Sequence, residues 1–257
     1  MIDIHSHIIP NIDDGSKSEE ISLAMLKRAE ETGTTKIIAT PHFFKGYWTE
    51  GYKSLDKRVE DLRKLAKDNN LNIEIYKGQE VYFNNYILED YKLGDIGTLA
   101  NSRYMLIEFP MDKINFQKTI NELYELKIMG IVPVIAHAER YMDFINNPEL
   151  INQFIDEGYL FQLNGGSLTG VFGREVKKTA ELFLENNIYS FIGSDAHSDG
   201  QRNTDLREAC EAANTINRGS IINFEENSLK LLNNEEVIFK GEKIKKKKKG
   251  LFSFFRR

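Results

Sequence analysis

The chain has 257 residues, of which 41% are hydrophobic and 28% charged, a composition typical of an ordinary globular protein. It contains no run of about 20 apolar residues that could span a membrane, and its N-terminus lacks the apolar core of a secretory signal, so we expect a cytoplasmic protein. The net charge of −5 is unevenly distributed, because residues 240–257 carry +8 and the rest of the chain carries −13. We therefore expect a globular domain over residues 1–239 and a basic tail over residues 240–257.

Seven short runs rich in β-branched residues are predicted as strands, and in chain order they cover residues 2–4, 36–39, 73–76, 104–107, 132–135, 159–163 and 190–192. Amphipathic segments separate them. The first, over residues 18–33, has a serine start, an acidic first turn and a glycine stop, as a helix requires. This alternation predicts an α/β fold with parallel strands, arranged either as an open doubly wound sheet or as a closed barrel.

The five histidines of the chain all follow predicted strands and none lies in a predicted helix. They are His5 and His7 after the first strand, His42 after the second, His137 after the fifth and His197 after the seventh. Three carboxylates take similar positions, namely Glu80, Glu108 and Asp195. Because ligands bind at the carboxyl ends of parallel strands, we expect these side chains to meet in one site.

Imidazole and carboxylate together are the ligands of zinc, manganese and iron, whereas magnesium and calcium prefer oxygen alone. His5 and His7 are two residues apart, so on a strand their side chains point to the same face. The whole set exceeds the four ligands of a single tetrahedral ion, which favours a multinuclear site. Such sites suit hydrolysis of phosphate esters.

Each of these residues also has an ordinary alternative role. A single histidine could be a packed or surface residue, and Asp13 and Asp14 in the segment NIDDGS could belong to a turn or a helix entry. Arg140 and Arg202 lie close in sequence to the predicted ligands, where an arginine suggests an anionic substrate. Cys210, the only cysteine, lies in a helical pattern and is predicted to be a packing residue.

The ordered series DIHSHIIPNIDDG, ATPH, GQEV, SRYMLIEFP, VIAHAER and GSDAH over residues 1–205 resembles the polymerase and histidinol phosphatase (PHP) superfamily. Within it, the series is similar to the manganese-dependent protein-tyrosine phosphatases of bacterial capsule and exopolysaccharide loci. The resemblance implies an α/β fold of the PHP type, a distorted (β/α)7 barrel with its metal site at the carboxyl ends of the strands.

The resemblance also implies three metal ions, with Mn²⁺ as the expected metal and Fe, Zn, Co or Mg as alternatives. By motif position, the first ion would be held by His5, His7 and Asp195. Glu80 would bridge it to a second ion, held by Glu108 and His137, and the third would be held by Asp14, His42 and His197. Asp14 is chosen by its place before the glycine, with Asp13 as the alternative. Arg140 and Arg202 would bind the phosphate.

The activity implied by this resemblance is that of a phosphotyrosine-protein phosphatase, which would regulate capsular or exopolysaccharide synthesis. Its implied partner is the phosphotyrosine tail of a membrane-associated bacterial tyrosine kinase. The tail, with five consecutive lysines beside Leu251, Phe252, Phe254 and Phe255, is typical of a peripheral contact with the inner face of a membrane, a solvated tail being the alternative. A homo-oligomer is compatible with the sequence, and the acidic body argues against a nucleic-acid partner.

Three other functions remain open at this point. A phosphatase for a small metabolite such as histidinol phosphate would use the same fold and metals. An amidohydrolase shares the H-x-H start, but it usually places a lysine on the fourth strand, which here ends in Glu108. A non-catalytic adaptor would use the metals only for structure and the basic tail for docking.

Overall fold

The structure, a computed structural model, describes residues 1–245 of the chain. Its strands are β1 Ile2–Ser6, β2 Lys36–Ala39, β3 His42–Phe43, β4 Glu74–Lys77, β5 Glu80–Tyr82, β6 Tyr104–Glu108, β7 Val132–Ile135, β8 Leu160–Asn164 and β9 Phe191–Gly193. Its α-helices are α1 Glu19–Glu31, α2 Leu55–Asp68, α3 Ile87–Leu93, α4 Phe116–Ile128, α5 Met142–Asn146, α6 Asn152–Asp156, α7 Gly165–Thr169, α8 Arg174–Glu185, α9 Arg207–Ile216 and α10 Ser220–Leu232. Short 3-10 turns cover Leu99–Asn101, Ala138–Arg140 and Pro148–Ile151.

A strand lies at each of the seven positions expected from the sequence. The structure adds β3 and β5, which follow β2 and β4 after breaks of two residues. His42 and Glu80 therefore begin strands of their own, whereas the sequence pattern indicated only that they follow one. Because each break is so short, the chain keeps its direction, and β3 and β5 extend the sheet toward the site.

All strand pairs are parallel. The strand orders are β1-β2-β4 in one sheet and β3-β5-β6-β7-β8-β9 in the other. The far edge of the second sheet returns to the first, because the Asp195 amide donates to the His5 carbonyl at 2.8 Å and the His7 amide donates to the Ala196 carbonyl at 2.9 Å. The result is a strongly curled parallel sheet with helices packed against it, which confirms the α/β class.

Alternate residues of the strands point into and out of the curl, as the two-residue repeat of a strand requires. Ile4, Ile38, Leu106 and Val134, from four different strands, belong to one buried cluster. Ile37, the neighbour of Ile38, packs in a second cluster with residues of α1 and α2. Burial of both faces explains why β2, β6 and β7 read as nearly continuous apolar runs.

Helix α1 shows how local sequence sets the element bounds. The Ser18 side chain accepts a hydrogen bond from the Ile21 amide at 3.3 Å, and the chain leaves the helix through Gly33 at a φ of +91°. Met25, Leu26 and Ala29 form its buried face. The helix predicted from the serine start and glycine stop is confirmed.

The first part of the predicted tail packs against the globular body. The Ile244 amide donates to the Asn152 side chain at 2.8 Å, and the Asn152 amide group donates back to the Ile244 carbonyl at 2.9 Å. The last four lysines of the run of five, from Lys246, and all residues after them to Arg257 lie outside the described residues. Within the range 1–245, no helix combines the length and apolar character needed to cross a membrane.

Candidate metal centre

The carboxyl end of the curled sheet gathers the predicted ligands. β1 carries His5, with His7 just past its end, β3 and β5 begin with His42 and Glu80, β6 ends at Glu108, and His137, Asp195 and His197 follow β7 and β9. These side chains are all buried. Asp14 lies on the loop after β1, where its side chain is 45% exposed and its Oδ1 lies 3.3 Å from His197 Nε2 and 3.5 Å from His42 Nε2.

Glu80 lies at the centre of this cluster. Its Oε2 atom is 3.2 Å from His5 Nε2, 3.2 Å from His7 Nε2 and 3.1 Å from His42 Nδ1. Its other oxygen, Oε1, lies 2.9 Å from His137 Nε2. One carboxylate thus contacts four imidazole rings, which lie on β1, just past the end of β1, on β3 and on the turn after β7.

Three groups of side chains have ligand atoms close enough to hold an ion. They are His7, Asp14, His42 and His197; His5, His7, Glu80 and Asp195; and His42, Glu80 and Glu108, each with ligand atoms within 4.8 Å of one another. His7, His42 and Glu80 each belong to two groups, an arrangement typical of a multinuclear site. His137 belongs to none of the three, but its Nε2 lies 3.7 Å from Glu108 Oε1 in addition to its contact with Glu80.

Hydrogen bonds outside the cluster determine how two of the rings are oriented. His7 Nδ1 lies 2.8 Å from Asp13 Oδ2, and His5 Nδ1 lies 3.0 Å from Gln162 Oε1, so in each ring Nδ1 donates and Nε2 points into the cluster. Gln162 Oε1 also accepts the His137 amide at 3.1 Å, which supports this orientation of the Gln162 amide. Sequence reasoning missed this role for both Asp13 and Gln162.

The donor atoms fit a bound cation. When both rings are neutral with Nδ1 donating, as metal ligands must be, His5 and His7 direct their Nε2 lone pairs at each other across 3.2 Å and at Glu80 Oε2, which is buried and has no hydrogen-bond partner among residues 1–245. A buried polar atom without a partner costs about 1–3 kcal/mol. Ligands about 2.0–2.1 Å from one ion lie roughly 3 Å apart, so a cation between these atoms would satisfy all three.

The negative charges gathered at the site also favour a bound cation. Burial, together with the negative charges of Glu80 and Asp195, raises the pKa of Glu108 to about 9. Burial, assisted by the positive charge of Arg140, lowers the pKa of His137 to about 4. Although burial opposes it, the carboxylates of Asp13 and Glu80 raise the pKa of His7 well above its usual value. Without an added cation the cluster therefore holds protons on Glu108 and His7, which a metal would replace.

Arg140 and Arg202 lie at the rim of the cluster, where both donate hydrogen bonds to the carboxylate of Asp195. Arg140 Nη1 donates to Asp195 Oδ2 and Arg202 Nη2 donates to Asp195 Oδ1, both at 2.8 Å. Although burial opposes ionisation, His5 and these two arginines hold the pKa of Asp195 below its usual range. The two guanidinium groups also lie near Phe172, 4.3 Å and 5.7 Å from its ring centroid, where their free N–H groups could bind an anion.

The backbone is strained where these side chains leave the sheet. His137 and Asp195, two residues past the ends of β7 and β9, have φ angles of +31° and +50°, in the left-handed region that non-glycine residues seldom adopt. The surrounding structure holds such strain in place, and strained residues cluster at functional sites. The sharp turns aim both side chains at the cluster.

Cys210 plays no part in this site. It is 7% exposed in α9, its Sγ contacts Met1 Sδ at 3.1 Å, and burial raises the pKa of its thiol to about 11. A thiol of this kind is not an activated nucleophile. The structure is consistent with the packing role predicted for it.

Comparison with known proteins agrees with this geometry. The family described as capsular polysaccharide synthesis, CpsB/CapC, matches residues 1–239. Tyrosine-protein phosphatase YwqE of Bacillus subtilis (strain 168) is 31% identical over 256 residues, which cover 99% of this chain and 100% of YwqE. Tyrosine-protein phosphatase CpsB of Streptococcus pneumoniae is 35% identical over 214 residues, which cover 81% of this chain and 88% of CpsB.

A structural match supports the same relationship. Among the crystal structures of YwqE from Bacillus subtilis and CpsB from Streptococcus pneumoniae, described as unique metal-dependent tyrosine phosphatases, one chain matches with a TM-score of 0.90 and 31% sequence identity. The match covers 96% of this chain and 100% of that one. By sequence and by fold, therefore, the chain belongs to the CpsB/CapC family, as the resemblance to PHP-type phosphatases of capsule loci led us to expect.

Proposed function

We propose that this protein is a metal-dependent protein-tyrosine phosphatase that acts in the regulation of capsular or exopolysaccharide synthesis. The observation that carries the proposal is the buried cluster around Glu80, with its partnerless carboxylate oxygen facing three imidazole nitrogens. Relatives that match most of this chain are named tyrosine-protein phosphatases. Two arginines beside the cluster supply the charge that a phosphate needs.

We assign nine residues as metal ligands, in a cluster of up to three ions: His5, His7, Asp14, His42, Glu80, Glu108, His137, Asp195 and His197. The three groups of ligand atoms within 4.8 Å support eight of them, and the contacts of His137 with Glu80 and Glu108 support the ninth. Mn²⁺ is our proposed metal, as the resemblance to manganese-dependent phosphatases implies; the mixture of imidazole and carboxylate would also suit iron or zinc.

Bound metal would supply charge neutralisation and an activated water for in-line displacement at phosphorus. The protein's own part is to bind and orient. Arg140 and Arg202 would bind phosphoryl oxygens through N–H groups not used on Asp195, while Asp13 and Gln162 keep His7 and His5 in the tautomer that directs Nε2 at the cluster.

We also propose that the curled sheet is the distorted (β/α)7 barrel of the PHP type. If β2 with β3, and β4 with β5, each count as one interrupted strand, the sheet has seven strands. The hydrogen bonds from Asp195 to His5 and from His7 to Ala196 would then close the circle between the last strand and the first.

The proposed substrate protein is a membrane-associated bacterial tyrosine kinase, dephosphorylated at the inner face of the cytoplasmic membrane. The basic tail supports this location, because each basic residue near anionic lipid contributes about 1 kcal/mol. The domain boundary remains part of the proposal, with residues 1–239 as the phosphatase domain and residues 240–257 as the membrane-contacting tail.

The activity is tested by turnover of a phosphotyrosyl peptide and of histidinol phosphate by the Mn²⁺-loaded full-length protein. We expect the peptide to be preferred, EDTA to abolish turnover, and His42→Ala and Arg140→Ala each to lower kcat/KM by about 100-fold or more. Arg218→Ala, exposed between α9 and α10, is the matched control and should change little. A strong preference for histidinol phosphate would favour the small-metabolite phosphatase. Retained activity in both His42→Ala and Arg140→Ala, with circular dichroism spectra like that of the native protein, would refute the site assignment.

A further inference from the structure

Aromatic side chains line one side of the metal centre. We call Phe44, Tyr47, Trp48 and Tyr82 the aromatic wall. The Trp48 ring is stacked on His42, with centroids 5.0 Å apart and planes 13° apart, and Phe44 is stacked on Tyr82 at 3.9 Å and 14°. Tyr47 packs against Phe44 at 4.5 Å and is 75% exposed. The wall thus runs from a proposed metal ligand out to solvent.

The wall is held in place before any ligand binds. The Phe44 amide donates to the Trp48 carbonyl at 2.7 Å, and the Trp48 amide donates back to Phe44 at 2.9 Å, across a tight turn in which Gly46 has a φ of +92°. Between them, Lys45 Nζ donates to Asp90 Oδ1 at 2.6 Å, and this carboxylate is 1% exposed. A buried charge anchors the turn, so little conformational entropy would be lost when a ligand packs on it.

The hydrophobic core does not account for these rings. Trp48 is the only tryptophan of the chain, yet it is half-buried at the mouth of the metal centre. The ring of its neighbour Tyr47 is among the most exposed aromatic rings in the described part of the chain. On the other side of the centre, the half-buried Phe172 contacts Arg140. A phosphate held by Arg140 would therefore carry its ester group outward past aromatic surface.

We propose that the aromatic wall receives the phenyl ring of the phosphotyrosine, so that the site selects aryl over alkyl phosphate esters. The inference rests on the proposed phosphatase function and adds the residues that choose the substrate. Aromatic rings pair favourably with centroids 4.5–7 Å apart, in offset or edge-on arrangements. The short alkyl group of a phosphoserine would leave the wall largely without contacts, whereas a phenyl ring would cover it.

Because Trp48 is the only tryptophan, its fluorescence reports ring binding directly, without turnover. We would titrate the full-length Mn²⁺-loaded protein with a peptide containing phosphonomethyl-phenylalanine, a non-hydrolysable phosphotyrosine mimic. We expect a saturable change in emission that inorganic phosphate alone does not produce. Tyr47→Ser should weaken this peptide about 10-fold, as the loss of an aromatic contact predicts, while Tyr124→Ser on α4, equally a tyrosine exposed on the surface, should leave binding unchanged.

Turnover provides the second measurement, on phosphotyrosyl and phosphoseryl peptides of one sequence. Trp48→Leu should lower kcat/KM about 10-fold for the phosphotyrosyl peptide alone, mainly through KM, and Trp48→Phe should restore most of it. Equal losses on both peptides would show that Trp48 acts only through His42 and would overturn the inference. Trp48 emission that does not change when the mimic peptide is added, together with unchanged peptide binding in Tyr47→Ser, would overturn it as well. Ring binding without any turnover would instead refute the phosphatase and leave the wall as a phosphotyrosine-binding surface.

Discussion

Two adjacent carboxylates show how finely roles divide among residues at this site. Asp13 and Asp14 are chemically identical, but Asp13 is 7% exposed and contacts His7 Nδ1, while Asp14 faces the Nε2 atoms of His42 and His197. Asp13 also accepts the His42 and Gly15 amides at 2.9 Å each. Orienting a ligand ring and binding an ion are different tasks, and under our proposal the backbone turn gives the first to Asp13 and the second to Asp14.

Glu108 leads to a prediction about protons. The pKa of this carboxyl is raised to about 9, so in the metal-free fold it stays protonated at pH 7, whereas the unfolded chain ionises it near pH 4.5. Between pH 4.5 and about 9 the folded protein binds one proton more than the unfolded chain at Glu108. The contribution of Glu108 to the free energy of unfolding therefore falls as pH rises through this range. If Glu108 is a ligand of Mn²⁺, as we propose, the ion has to displace that proton, so metal binding should release protons at pH 7 and raise the melting temperature more at pH 8 than at pH 6.

Calorimetric titration of Mn²⁺ in two buffers of different ionisation enthalpy measures this release. The Glu108→Gln variant should release about one proton fewer than the native protein. Glu122→Gln serves as the control, because Glu122 lies on α4, the helix that follows β6 at the surface. This variant should match the native value. Equal proton release by native and Glu108→Gln proteins would contradict the role given to Glu108.

At the scale of elements, the site depends on how closely β9 approaches β1. Gly193 ends β9, and a Cβ atom placed there would lie 2.5 Å from His5 Cβ and 3.1 Å from the His5 amide nitrogen. Only a residue without a side chain lets the two strands come this near. Next to Gly193, the Asp195 amide donates its hydrogen bond to the His5 carbonyl, which joins the last strand, β9, to the first, β1.

We therefore expect Gly193→Ala to displace β1 from β9. Overpacking of this kind typically costs about 1–3 kcal/mol, and the shift of His5 should also weaken metal binding. Urea denaturation and Mn²⁺ titration measure the two effects. Gly200→Ala is the matched control, since a Cβ there meets only the Ser198 hydroxyl at 3.5 Å. Native stability and metal affinity in Gly193→Ala would show that the strands can separate without harm.

At the scale of the whole molecule, charge is divided between an acidic body and a basic end. The body should repel an anionic membrane, so attachment would depend on the tail alone. Because Ile244 is bound to Asn152, we assign the proposed membrane contact to the residues after 245.

Removal of residues 246–257 should abolish pelleting with vesicles that contain anionic phosphatidylserine, while phosphatase activity on a soluble peptide remains. Vesicles of neutral phosphatidylcholine should pellet neither protein, since the tail would gain no electrostatic attraction. Equal pelleting of the full-length and shortened proteins with anionic vesicles would rule out the tail as a membrane contact.

The sequence alone determined the strand positions, the α/β class and the end of the sheet where the polar residues gather. Those features depend on local periodicity and on the rule that parallel strands present their carboxyl ends together. Only the tertiary structure decided that Asp13 orients His7, that Gln162 from β8 holds His5, and that Trp48 is stacked on His42. The contact between Gln162 and His5 joins residues far apart in the chain, and the other two depend on how a loop folds back over six residues, so none of them leaves a periodic trace in the sequence.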